Sequence, residues 1–381
     1  MRSKCSRRKF IKTASLGATS LAVGGIVQSP RRAWGYVPKD EINPKVSNLR
    51  VVYAHDNTMT SGAVLNTWPE QNAATYESVV AANMDKMACA LAQKADAAQA
   101  WQTIFIKPPS KEWNQVVVAI KVNCIALVGS GMAQTTRNAV MKKMCEVLVN
   151  HLGVLGSNIH IYDGIHGNNM TYCWWYDLPS GVTIERRWRT NWVWAPIPPG
   201  GQAQCHPNIA NGVADILINM TLCKGHDSAY GSFTMCLKNH FGTFEPNAGH
   251  GQADYLLNIN KSEAILGQMD QGTGRILFPR QQLCLIDALW ASRQGPTVVP
   301  SHCPNRLFMG TFGPVMDYLV ATKFRRDTMG WPINAPVTER FLTDFGYTSP
   351  ELPDGGAMVD ALTWTPPQTT EGANRSWRLY Q

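Results

Sequence analysis

Lys121, Asn123 and Lys224 stand just beyond apolar runs of this sequence, and Lys238 and Asn239 fall where a further unit opens. Lysines gathered at such places can bind an anionic substrate or a phosphate, and a desolvated lysine can also serve as a base. Asp163, with His166 close behind it in a glycine-flanked stretch, ends another apolar run and can complete the same site. The plainer alternative is that each lysine is a solvated strand-end residue.

A second group offers metal ligands. Cys223 and His226 lie at the end of the run 214–220, and Cys236 and His240 are four apart. If 232–241 is helical, that spacing puts both on one face, where they can approach one ion. With Cys223 or His226 added, the nitrogen and sulfur donors suit zinc, copper or iron. The competing reading is structural, because Cys236 shares an apolar stripe with Phe233, Leu237 and Phe241, where a cysteine is usually a small buried hydrophobe. Cys205, His206 and His250 stand apart from both groups.

The elements that must position these residues alternate. Residues 116–122 are β-branched and predict a strand, 135–152 carry apolar residues at helical period, and 158–164 predict a second strand. The separation suits a right-handed parallel crossover. A strand over 214–220 and a helix over 232–241 form the next unit. Further strands are expected at 49–54, 282–286 and 306–310, the last followed by a helix over 314–323. The reading is an α/β fold, a mostly parallel sheet with flanking helices, whose ligands would gather at the carboxyl edge. Residues 172–201 interrupt the pattern with five tryptophans, including Trp188, Trp192 and Trp194, and a proline- and glycine-rich exit, and read as an insertion lying over the sheet. The tryptophans either pack that insertion down or form a stacking platform. The tail 348–381 reads as an irregular wrap.

Taken in order, Ala119-Ile120-Lys121-Val122-Asn123, Tyr162-Asp163-Gly164, Ala214-Asp215-Ile216-Leu217-Ile218-Asn219, Lys224-Gly225-His226 and Leu237-Lys238-Asn239-His240-Phe241-Gly242 resemble the domain of unknown function 362 family, over roughly 115–325. Gly313-Pro314-Val315-Met316-Asp317 resembles that family's late motif, with Gly313 in place of an acid, and Leu222 stands where a lysine is expected. Some members of the family are similar to iron–sulfur proteins. This chain has no C-x-x-C, and Cys223 and Cys236 are thirteen apart, which argues against a ferredoxin-type cluster. There is also no G-x-G-x-x-G after a strand, no Walker loop, no H-E-x-x-H and no G-x-S-x-G. Val128-Gly129-Ser130-Gly131-Met132 offers a glycine-containing loop and nothing more specific.

The chain opens on an address. Ser6-Arg7-Arg8-Lys9-Phe10-Ile11-Lys12 reads as a twin-arginine signal, followed over 13–27 by an uncharged stretch too short and too weakly apolar to span a membrane. Ala33-Trp34-Gly35 offers a cleavage site near Gly35; retention of the segment as an anchor is the alternative. The formal charge of +8 belongs to this segment, since residues 1–35 hold eight basic residues and no acid, leaving 27 of each beyond. A neutral body argues against nucleic acid as a partner. The remaining chain, 36–381, is long enough to bury a core as a single domain, and no other segment is apolar enough to cross a membrane. The expectation is therefore a periplasmic or extracellular protein that meets the twin-arginine machinery and then a small molecule or a protein partner in the envelope. Export after folding suits a metal- or cofactor-dependent enzyme of redox type. The alternative is a non-catalytic scaffold that holds a partner by its tryptophans.

Overall fold

Ile216-Leu217-Ile218-Asn219-Met220-Thr221-Leu222 is almost continuously apolar, the pattern of a strand covered on both faces. In the computed structural model it is the buried centre of an eight-stranded sheet. The structure describes residues 39–125, 134–164, 175–185, 191–247, 249–270 and 272–367. The expected signal segment 1–35, the loop 128–132, His166 and Trp188 lie outside the described residues.

In chain order the strands are β1 (Val52–His55), β2 (Val118–Lys121), β3 (Ile159–Tyr162), β4 (Thr183–Glu185), β5 (Val193–Ile197), β6 (Gly201–Cys205) and β7 (Ile216–Leu222). There follow β8 (Lys224–Gly225), β9 (Phe233–Thr234), β10 (Gly267–Met269), β11 (Ile276–Pro279), β12 (Gln281–Ala288), β13 (Arg306–Gly310) and β14 (Val359–Asp360). The main sheet runs β14-β1-β13-β12-β7-β2-β3-β4. It is α/β and mostly parallel: only β13 runs antiparallel, against both β1 and β12. Because strand side chains alternate, Val118, Ile120, Ile159, Ile161, Ile216, Ile218 and Met220 fill one core with the helices Glu77–Ala92, Ala97–Ile104 and Asn138–Glu146. The opposite face, with Ala119, Tyr162, Leu217 and Ile286, meets the helices Ala253–Asn260, Gly313–Leu319 and Ala335–Thr343.

Two expectations need correction. Residues 232–241 do not form one helix: β9 pairs with β8, and a four-residue helix, Cys236–Asn239, follows. The backbone of Met235, at φ −147° and ψ −132°, separates the two, and the side chain of Asp317 takes over as acceptor for the helix's opening N–H groups. Residues 172–201 do not simply lie over the sheet. β4 extends the sheet's edge in parallel with β3, and Ala195-Pro196-Ile197, expected to end regular structure, belongs to the β5–β6 hairpin. Proline is tolerated there because the ribbon has only two strands, so Pro196 stands on an edge. Among the tryptophans, Trp175 packs edge-on against Trp68 and donates its indole N–H to Thr136 O, a structural role, whereas Trp194 is exposed.

Candidate functional site

Alternation along β2 and β7 decides which side chains meet. Val118 and Ile120 face one core, so Lys121 and, beyond the strand, Asn123 fall on the other face with Asn219 and Thr221 of β7. Lys121 pairs in register with Tyr162 on one side and Asn219 on the other. The next residue after Tyr162 is Asp163, fully buried. The Cys236–Asn239 helix lies across these strand ends: Asn239 Nδ2 reaches Lys121 O at 3.2 Å, Asn219 Oδ1 at 2.8 Å and Met220 O at 3.2 Å.

The result has two layers. In the lower layer the Lys121 ammonium is used up: Val122 O lies at 2.5 Å, Asn239 Oδ1 at 3.4 Å and Asp163 Oδ1 at 3.5 Å. Asp163 Oδ2 also accepts from Cys124 N at 2.9 Å. Burial lowers the Lys121 pKa and Asp163 opposes the fall. Lys121, Asp163 and Asn239 therefore form a buried scaffold. Gly242 is part of it, at φ +118°, because a Cβ there would stand 2.7 Å from Asp163 Oδ1 and 2.8 Å from Lys121 Cε.

The upper layer lines a cavity of about 290 Å³, bounded by Asn123, His226, Thr234, Lys238, Phe241 and His250 among others. Hydrogen-bond logic fixes what it presents. Lys224 Nζ donates to Asn123 Oδ1 at 2.5 Å, so the amide oxygen faces Lys224 and Nδ2 is left for the cavity. The main-chain N–H of Asp227 donates to His226 Nδ1 at 2.7 Å, so the proton of the neutral ring sits on Nε2. Burial, reinforced by Lys238, takes the His226 pKa down to about 4. The Asp227 carboxylate, 3.5 Å from Nδ1, would favour the cation, but it is 68% exposed and solvent weakens the pair. Lys238 Nζ lies over the rings of Phe241, 3.7 Å from its centroid, and Tyr230, 4.7 Å, and has no hydrogen-bond acceptor among the described residues. The cavity thus offers N–H donors from three different elements, together with the Thr234 hydroxyl, which is also unpartnered among the described residues.

Both upper-layer lysines are electrostatically uncomfortable. Burial lowers Lys224 to about 7, with Arg137 and Lys121 adding to the fall. Burial likewise brings Lys238 to about 7, with Lys121 and Lys224 adding. Each aromatic ring favours the Lys238 cation by about 1–2 kcal/mol and so opposes part of the fall from 10.5.

The four sulfur and imidazole candidates are not gathered. His226 lines the cavity. Cys223 lies 3.7 Å from Arg325 Nη1. His240 is sealed in the core, with Gln281 Oε1 at 2.6 Å, Asn219 Nδ2 at 3.0 Å and Thr243 Oγ1 at 3.2 Å, and burial takes its pKa to about 3. Burial raises the Cys223 and Cys236 thiols, Cys236 the more, with Cys284 beside it; buried protonated thiols are poor ligands and nucleophiles. Among the described residues no group of three or more His, Cys, Asp or Glu is placed to hold a metal ion. Two contributors were given no role in the sequence reading, although Asp317 was named there in the late motif. His250 stood apart from every motif yet lines the cavity. Asp317 accepts from Cys236 N at 2.7 Å and Leu237 N at 2.9 Å, so it sets the helix that carries Lys238.

Fold and site together define an α/β protein with a pocket at the carboxyl edge of a mostly parallel sheet, lined by Lys238 and underlain by the buried Lys121 and Lys224. The chain belongs to the family of the domain of unknown function (DUF362), whose model matches residues 118–311 and so includes all three site lysines. No curated protein and no solved structure matches it.

Proposed function

We propose that this is an exported enzyme whose pocket binds a small anionic molecule and whose reacting amine is Lys238. One observation carries the reading: Asn123 Nδ2, His226 Nε2–H and Lys238 Nζ converge on one cavity, each as a donor, and two of the three are fixed in that role by Lys224 and by the Asp227 main chain. Three donors, with no carboxylate among the described residues that line the cavity, select a ligand rich in acceptors, a carboxylate or a phosphate. The cavity is of a size for a small metabolite and not for a polymer.

A redox or metal centre, the other chemistry that the sequence suggests, has less support here, since Cys223, Cys236 and His240 are each engaged elsewhere in the core. The lysine pocket is the better basis. Export rests on Arg7, Arg8 and the uncharged stretch behind them.

Calorimetric titration with oxalate and with inorganic phosphate tests the pocket. At least one should bind, and Asn123→Ala or Lys238→Met should weaken it by about ten- to a hundredfold, the worth of one charge-assisted hydrogen bond. Binding unaffected by either variant would overturn the assignment. Export is tested separately: Arg7→Lys with Arg8→Lys should leave the protein in the cytoplasmic fraction.

A further inference from the structure

Of the three site lysines, only Lys238 has an amine that no acceptor among the described residues occupies. Lys121 is held by Val122 O, Asn239 and Asp163, and Lys224 by Asn123. The half-buried Lys238 amine instead lies against the faces of Phe241 and Tyr230, while Asn123 and His226 present N–H groups to the same cavity. We propose that the substrate is a small 2-oxo acid and that Lys238 Nζ attacks its carbonyl carbon to form a Schiff base. This rests on the anion-pocket reading above and names its substrate class.

The arrangement supplies what that step needs. The carboxylate accepts from Asn123 Nδ2, and His226 Nε2–H polarises the adjoining carbonyl as a neutral donor. The lone pair of Nζ adds to the carbonyl carbon and the π pair of C=O moves to oxygen. One proton passes from nitrogen to that oxygen to give the carbinolamine, and the second nitrogen proton follows as the C–O bond breaks, so that the oxygen leaves as water while the nitrogen lone pair forms C=N. Amine and ketone give imine and water, with no change of oxidation state and no co-reactant. Addition requires an uncharged amine, and Lys238 reaches that form near neutrality because it is buried beside two other cations. An ordinary lysine at the same pH is only about one part in a thousand uncharged.

The test is reductive trapping on the full-length folded protein. Pyruvate or glyoxylate is added with cyanoborohydride at pH 7.5, and the adduct is located by peptide mass spectrometry. Lys238 should be labelled about a hundredfold faster than exposed lysines, given the difference in uncharged fraction. Lys238→Arg, shown folded by circular dichroism, should abolish that adduct, Lys45→Arg should not, and excess oxalate should slow it. Labelling spread evenly over surface lysines, or none at Lys238, overturns the covalent step. If oxalate then still binds in a manner that depends on Asn123, the anion pocket stands without the Schiff base; if neither ligand interacts, both readings fall.

Discussion

Asp317 accepts the main-chain N–H of Cys236 at 2.7 Å, across 81 positions of sequence, and so anchors the short helix on which Lys238 rides. Its second oxygen takes the N–H of Leu237 at 2.9 Å. A four-residue helix cannot satisfy its own opening donors, and this one is buried, so the carboxylate substitutes for water. Asp317→Ala should lower unfolding free energy by about 2–4 kcal/mol, the cost of leaving two buried donors unpaired. Asp317→Asn keeps one acceptor and should recover part of the loss. Urea denaturation of the three proteins checks both.

Lys121 and Asp163 form a fully buried ion pair at 3.5 Å. Removing one partner strands the other charge, so Asp163→Ala should cost about 3–5 kcal/mol. Lys121→Met combined with Asp163→Asn removes both charges, and should cost less than the two single changes together. A double-mutant cycle by chemical denaturation measures the difference. Additive losses would show that the two charges do not depend on one another.

Gly242 and Gly251 both adopt positive φ, +118° and +81°. A Cβ at Gly242 would intrude on Asp163 and Lys121, whereas at Gly251 nothing lies within 4 Å. Gly251→Ala should therefore cost only the backbone strain, about 1 kcal/mol. Gly242→Ala adds a collision with the buried pair and should exceed about 3 kcal/mol. Thermal unfolding of the two variants compares them directly.

These contrasts show how much was legible in the sequence. The parallel strands were readable because β2 and β7 are buried on both faces and so are nearly uninterrupted in apolar character. Lys121, Asn123, Lys224 and Lys238 were readable as a group because all follow or cap such runs. The helices between 68 and 104 were passed over, although Thr67 and Glu70 form a capping box around Pro69 at the first of them. The division of labour among the lysines was not readable at all. It depends on which acceptor each amine meets across the fold, and Asn239, Asn123 and the aromatic faces are assigned by tertiary packing. The same holds for Cys236 and His240: their spacing invites a metal, but Met235 and Asp317 fix the backbone so that His240 turns to Gln281.

The pH dependence of stability follows from the upper layer. Lys224 titrates at about 7 in the folded protein, lowered from 10.5 chiefly by burial. Between those values the unfolded chain holds a proton that the folded chain does not, so stability rises with pH across this window. Below about 7 both states carry the charge and the full burial penalty applies; above 10.5 neither does and it vanishes. Lys238 adds a second contribution of the same sign. Lys224→Met removes the titrating group, so the gain in stability from pH 7 to pH 9.5 should shrink relative to the unaltered protein, read as the change in denaturation midpoint between the two pH values. The variant also leaves Asn123 Oδ1 without its donor, a loss that does not vary with pH and therefore drops out of the comparison. Bound oxalate should reverse the trend. An anion holds the upper-layer lysines in their charged form, so its affinity should fall as pH climbs above 7, and its binding near pH 8 should take up protons. Calorimetry in two buffers of different ionisation enthalpy measures that uptake, and a pH-independent affinity would show that Lys238 does not face the anion.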